Sequence, residues 1–164
     1  VMSNLGLERS LEDRGIEFLR APVGDRNVLS MLKQRGGLLG GETSGHVIDL
    51  SRTTTGDGLV IALQVLNILA HSRRPLSELA ADMPRLPQTM INVRVELGFE
   101  VDDSVAVRRV VDRVESELNG RGRIVLRASG TEPVVRVMVE GDHDEVVARA
   151  AETIAAAVRE AATG

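Results

Sequence analysis

The sequence predicts an α/β unit built from β-α-β elements, followed by a small α+β domain. Three observations carry that expectation. Short apolar runs alternate with helical patterns through the first half of the 164-residue chain, as in β-α-β units. The second half changes to strand, helix, strand, strand, helix, the order of a small α+β layer. Between them, Pro84 and Pro87 bracket Arg85-Leu86. This proline-punctuated stretch reads as a linker and places the boundary between residues 84 and 90.

Taken in order, Val1 to Leu5 reads as a strand or the end of one. Leu7 and Leu11, four apart, mark a helix that Gly15 closes. Ile16 to Arg20 reads as a second strand, followed by the loop Pro22-Val23-Gly24-Asp25-Arg26. Val28, Leu29 and Leu32 form a helical face that stops at Gly36-Gly37. Leu38-Leu39 leads into Gly40-Gly41-Glu42-Thr43-Ser44-Gly45-His46, and Val47-Ile48 resumes a strand. A helix from about Asp57 to Ser72 follows, with Asp57 placed to accept hydrogen bonds from the free N–H groups of its first turn. The run from Leu59 to Leu69 is apolar almost all round, which predicts burial on more than one side. A short helix spans Leu76 to Met83.

Beyond the linker, Ile91, Val93, Val95 and Leu97 alternate on one face of a strand. Val107, Val110, Val111, Val114 and Leu118 have helical spacing, and Asn119-Gly120 ends that helix. Ile124 to Arg127 and Val134 to Val139 form a hairpin, and an alanine-rich helix covers about Asp144 to Ala162.

Composition narrows the chemistry. A hydrophobic content of 43% with 27% charged residues is that of a globular protein. The net charge of -4 supplies no positive field to recruit nucleic acid or an anionic membrane, so any anion must be held by local arginines. The absence of cysteine removes disulfides and thiolate chemistry and fits a reducing, cytoplasmic setting. Phe18 and Phe99 are the only aromatic residues, so no stacking platform for bases or sugars can be built. The longest uncharged stretch, Gly58 to Ser72, is shorter than the roughly 18 to 20 apolar residues that span a bilayer. The N-terminus has no basic region followed by an apolar run, and its apolar, strand-like start suggests a piece of a longer chain.

Two loops hold the residues of greatest chemical interest. In Arg127-Ala128-Ser129-Gly130-Thr131-Glu132-Pro133, Ser129 and Thr131 offer hydroxyls and Gly130 lets successive N–H groups turn toward one anion. Arg127 adds a bidentate fork. Glu132 repels phosphate and must face away, paired with an arginine. An ordinary hairpin turn has the same composition. In the second loop, an extended Glu42 to His46 would project Glu42, Ser44 and His46 to one side, a carboxylate, hydroxyl and imidazole suited to sugar hydroxyls. A solvated glycine loop fits that segment equally. Thr53 to Gly58 is explained by helix capping. Asp25 and Arg26 suit either an ion pair or a ligand, and His71 and His143 read as surface residues. The three histidines show no metal-binding spacing.

The order and spacing of Gly40 to His46, Thr54-Thr55-Gly56-Asp57-Gly58 and Arg127 to Pro133 resemble the α-D-phosphohexomutases. Pro22 to Arg26 and Val135 to Gly141 are similar to the phosphoglucosamine mutase branch of that superfamily. The likeness covers nearly the whole chain. It implies four domains, of which residues 1–86 are most of the third, an N-terminally truncated α/β domain with a mixed sheet and helices. Residues 87–164 would be the fourth, α+β, domain. It further implies that Glu42, Ser44 and His46 contact the sugar, and that Arg127, Ser129, Gly130, Thr131 and Arg136 bind the phosphate that is not transferred. The two loops would face a common cleft and hold opposite ends of a phosphorylated hexosamine.

In such enzymes a first-domain phosphoserine donates the phosphoryl group, assisted by Mg2+ on an aspartate-rich loop of the second domain. Neither loop is found here. The resemblance therefore assigns no catalytic residue and no metal ligand to this chain, and leaves both to the missing N-terminal domains. It implies interconversion of glucosamine 6-phosphate and glucosamine 1-phosphate by an intact parent, and leaves room for a homodimer of that parent. The alternatives are a phosphomannomutase or phosphoglucomutase of the same superfamily, and a non-catalytic phosphosugar-binding module.

Overall fold

The structure is a computed structural model that describes residues 1–130 and 132–163. It divides the chain into two compact units, one of residues 1–3 and 7–84, the other of residues 4–6 and from Arg85 onward.

The first unit contains α1 (Leu5–Glu12), most of which belongs to it, α2 (Asp25–Arg35), β1 (Leu39–Gly41), β2 (Val47–Asp49), α3 (Gly58–Ser72) and α4 (Leu76–Ala81). Its helix ends follow local chemistry. The Asp57 carboxylate accepts from the N–H groups of Leu59 and Val60 at 2.9 and 3.1 Å, the N-cap geometry expected at the start of α3. Gly36 ends α2 in the left-handed region, at φ 70°, where a residue without Cβ carries no steric penalty.

Four expectations fail here. Val1 to Asn4 is irregular and passes into α1, and Ile16 to Arg20 forms no strand. The two segments are joined by end groups and a side chain instead of a ladder. The N-terminal ammonium donates to the Ala21 carbonyl at 2.7 Å, and Arg20 Nη1 donates to the Ser3 carbonyl at 2.7 Å. The only strand pair among the described residues of this unit is β1 with β2, antiparallel and three residues long. Finally, α3 has no buried residue. Leu59 and Leu63 are 80% and 66% exposed, so its apolar surface has no covering layer in this unit.

The second unit contains β3 (Gln88–Arg94), a 3₁₀ turn at Val101–Asp103, α5 (Val105–Leu118), β4 (Gly122–Ala128), β5 (Val134–Gly141) and α6 (Asp144–Thr163). The antiparallel sheet has the order β3-β5-β4, which makes β5 central. Alternation along β5 sends Val135, Val137 and Val139 to one face. There they pack with Val93 of β3, Val107, Val114 and Leu118 of α5, and Val147, Ala151, Ile154 and Val158 of α6. Each fully buried valine or isoleucine contributes about 1.5–3 kcal/mol, and this face holds nearly all of the chain's buried apolar side chains. Asn119 ends α5 in the left-handed conformation, as its position predicts. β3 is as long as expected but lies three residues earlier in the chain. It stops at Arg94, and Leu97 is 92% exposed, off the core face.

Candidate functional site

In the first unit, three polar loops meet through two side chains. The segment Glu42 to His46 is a tight turn joining β1 to β2, closed by hydrogen bonds from Gly45 N to Glu42 O and from Glu42 N to His46 O. It is not extended, so the alternation expected to align Glu42, Ser44 and His46 does not apply. Their placement comes from the turn. Glu42 Oε1 accepts from the backbone N–H of Gly24 at 2.8 Å. This ties the turn to the loop that caps α2 and places a carboxylate beside a helix N-terminus, where negative charge is favoured.

The imidazole of His46 occupies the other side. Its Nε2 is shielded from solvent and has no hydrogen-bond partner among the described residues. It lies so close to Gly56 that a Cβ there would stand 2.2 Å from it. Ser44 is exposed at the turn's apex. Asp25 Oδ1 accepts from Arg26 N at 2.7 Å, a local backbone contact and not an ion pair. Along the chain Gly56 is explained by helix capping, and Gly24 stands out only as part of the Pro22 to Arg26 loop. The signal for both is three-dimensional proximity, which spacing along the chain does not encode.

The second unit's sheet has a polar face opposite its core. Arg127 of β4 pairs in register with Arg136 of β5, which pairs in turn with Asn92 of β3. Leu126 and Val135, their neighbours in sequence, point to the core, so both arginines lie on the other face. The Nε atoms of both are shielded from solvent and have no hydrogen-bond partner among the described residues. Glu132 Oε2 is 3.6 Å from Arg136 Nη2, the arginine pairing expected of it. Ser129 follows Arg127 by two residues and donates its backbone N–H to Val134 O at 2.9 Å, so the ladder extends into the loop. Gly130 is exposed beyond it. Thr131 lies outside the described residues.

Two like charges directly opposite on adjacent strands repel each other, and buried polar atoms without partners are normally avoided. Both conditions are relieved by an anion with several acceptor oxygens. A phosphate group meets that requirement, with Arg127 and Arg136 as forks and Ser129 at the turn.

Comparison with known proteins identifies the family. The profile described as phosphoglucomutase/phosphomannomutase, alpha/beta/alpha domain III, matches residues 1–86. The C-terminal domain profile of the same family matches residues 90–157. The chain belongs to the phosphoglucomutase/phosphomannomutase family. A phosphoglucosamine mutase from Alkalilimnicola ehrlichii is 58% identical over 98% of this chain and 36% of its own length. Among solved structures, Aspergillus fumigatus N-acetylphosphoglucosamine mutase has a TM-score of 0.85 at 20% identity, covering 99% of this chain and 38% of its own. A structure of that enzyme with GlcNAc-6P and magnesium has a TM-score of 0.57 at 28% identity, covering 70% of this chain and 22% of its own. The chain thus spans about a third of the length of the curated relative it matches.

As a member of the phosphoglucomutase/phosphomannomutase family the chain has the mixed α/β architecture expected of it. Among its described residues, no three histidine, cysteine, aspartate or glutamate side chains are grouped to hold a metal ion. No described helix is long and apolar enough to cross a membrane.

Proposed function

We propose that this chain supplies substrate recognition to a phosphosugar mutase interconverting glucosamine 6-phosphate and glucosamine 1-phosphate by way of a phosphoserine and a sugar bisphosphate. The observation that carries the reading is the Arg127–Arg136 cross-strand pair, two guanidinium Nε atoms without a partner among the described residues, at the mouth of a Ser-Gly turn. The 58% identity to a phosphoglucosamine mutase supports the choice of substrate. Residues 1–86 act as the sugar-binding domain and residues 87–164 as the phosphate-binding domain. Glu42, Ser44 and His46 read sugar hydroxyls. Arg127, Ser129, Gly130, Thr131 and Arg136 hold the phosphate that stays in place.

The chain's own residues bind and orient. Glu42 retains an oxygen not engaged by Gly24 with which to accept from a sugar hydroxyl. His46 Nε2 is either donor or acceptor according to its tautomer. The arginine forks neutralise phosphate charge while fixing its orientation. Phosphoryl transfer depends on positioning and charge stabilisation around an in-line donor, and this chain contributes the positioning half. Magnesium, bound by the related A. fumigatus enzyme, belongs in this reading to other parts of the intact protein.

The test is kinetic. In the intact enzyme, Arg127→Ala is expected to weaken transition-state binding by about 1.5–3 kcal/mol, the range for a hydrogen bond to a charged group. Rates on glucosamine, mannose and glucose phosphates assign the sugar. Unchanged kcat and KM in the variant would reject the phosphate role, and faster turnover of mannose or glucose phosphates would reject the amino-sugar assignment.

A further inference from the structure

We infer that Arg94 is a third cationic arm of the phosphate patch, gripping the same anion as Arg127 and Arg136. This rests on the phosphate reading above and extends it to β3, a strand that reading does not use.

Register places it there. Arg94 pairs with Val134, and Ser129 continues the ladder on the far side of Val134 through its 2.9 Å backbone hydrogen bond. One row across the sheet is therefore Arg94, Val134, Ser129, and the next is Asn92, Arg136, Arg127. Ile91 and Val93 pack toward the core, so Asn92 and Arg94 share the face that carries Arg136 and Arg127. Arg94 is diagonal to Arg136, a separation of about 7–8 Å that long side chains bridge. Ser129 lies two strands away, roughly 9.5 Å at sheet spacing. An anion resting over the small Val134 side chain is bounded by Arg94, Ser129 and the two paired arginines.

Charge points the same way. Arg127 and Arg136 bring two positive charges, and Glu132, 3.6 Å from Arg136, cancels one. A single net positive charge falls short of a sugar phosphate, which carries about -1.5 to -2 near neutral pH. Arg94 raises the local sum to two. It is exposed, and among the described residues its side chain makes no hydrogen bond or ion pair, so no side-chain contact in its own unit has to be broken for it to turn to a ligand.

The test titrates inorganic phosphate into the 164-residue chain and follows the amide resonances of β4 and β5. Wild type is compared with Arg94→Gln, Arg127→Ala and Arg149→Gln. Arg149 is exposed on α6, which packs on the sheet's core face, so its neutralisation changes net charge without touching the patch. The expected result is phosphate binding weakened about 10-fold by Arg94→Gln, a typical loss for one charge-assisted contact, and little change with Arg149→Gln. Equal weakening by Arg94→Gln and Arg149→Gln would overturn the inference, because Arg94 would then act only through net charge. Full-strength binding by Arg94→Gln beside a loss in Arg127→Ala would also overturn it, leaving the phosphate reading intact. Absence of saturable binding by the wild type would overturn both.

Discussion

The imidazole of His46 fills the space that a side chain at residue 56 would need. A methyl group on Gly56 would stand 2.2 Å from His46 Nε2 and 2.4 Å from Cε1, well inside van der Waals contact. The turn that carries Glu42 and Ser44 is thereby seated against the loop leading into α3. Gly56→Ala is expected to expel the ring and destabilise the first unit by about 1–3 kcal/mol, as overpacking does. The His46 ring-proton shifts report displacement, and urea unfolding reports the energy. Wild-type shifts and stability in the variant would show that the ring has room to move aside.

Arg127 and Arg136 predict opposite effects on binding and on stability. Like charges facing each other across a ladder are destabilising by roughly 0.2–1 kcal/mol. Arg127→Met keeps an unbranched chain and removes the repulsion. Unit 2 is therefore expected to gain up to about 1 kcal/mol while losing phosphate affinity, the exchange seen where a site is held in strained form for its ligand. Denaturant midpoints with and without phosphate check this. A less stable variant with unchanged phosphate affinity would assign the pair a purely structural role.

Where local chemistry decides structure, the residues announce it. Asp57 caps α3, Gly36 and Asn119 end helices in the left-handed region, and the β4–β5 hairpin flanks the loop that its turn residues mark. Where a distant partner decides, they do not. Ile16 to Arg20 has strand composition, yet Arg20 and the N-terminus tie that segment to Val1–Ser3 without a ladder. The apolar surface of α3 reads as core because its composition is that of core, but no described element of its unit buries it. The candidate site divides in the same way. Arg127, Ser129 and Arg136 stand out by residue type near a turn. That Arg94 and Asn92 share their face depends on strand register, and the contact of Gly24 with Glu42 depends on a hairpin folding back on a helix cap.

Asp49 gives the first unit a predictable acid response. Its Oδ1 accepts from Ser51 Oγ at 2.6 Å and Ser51 N at 2.9 Å, and its Oδ2 from Gln64 Nε2 at 2.6 Å. The carboxylate thus links β2 to α3. The Ser51 hydroxyl is the main cause that holds its pKa below the ordinary 3.8, opposed in part by desolvation. A depressed folded-state pKa means that the stabilisation is fully present above the unfolded value and is lost as pH falls through the folded one. Unfolding midpoints of the first unit should therefore drop below about pH 4, and the drop should be smaller in Asp49→Asn. Identical acid profiles for the two proteins would remove Asp49 from this role.

Glu140 is the chain's one fully buried carboxylate among the described residues, at 0% exposure. Its Oε1 accepts from Arg123 Nε at 2.7 Å and lies 2.5 Å from Arg123 Nη2. Its Oε2 accepts from Asn4 Nδ2 at 3.2 Å. Asn4 in turn accepts from the N–H of Leu86 and donates to its carbonyl, both at 3.0 Å. One buried charge thus anchors residues 4–6 and the start of β3 within the second unit. Removing it alone takes away the buried carboxylate that faces the Arg123 guanidinium, itself only 18% exposed. Glu140→Ala is expected to cost about 3–5 kcal/mol, whereas replacing both members by leucine should be far milder, because desolvation of two ions offsets much of their attraction. A double-mutant cycle on unfolding free energies separates these terms. If the single and double variants lose equal stability, the contribution of Glu140 lies in packing and in its bond to Asn4, and not in its charge.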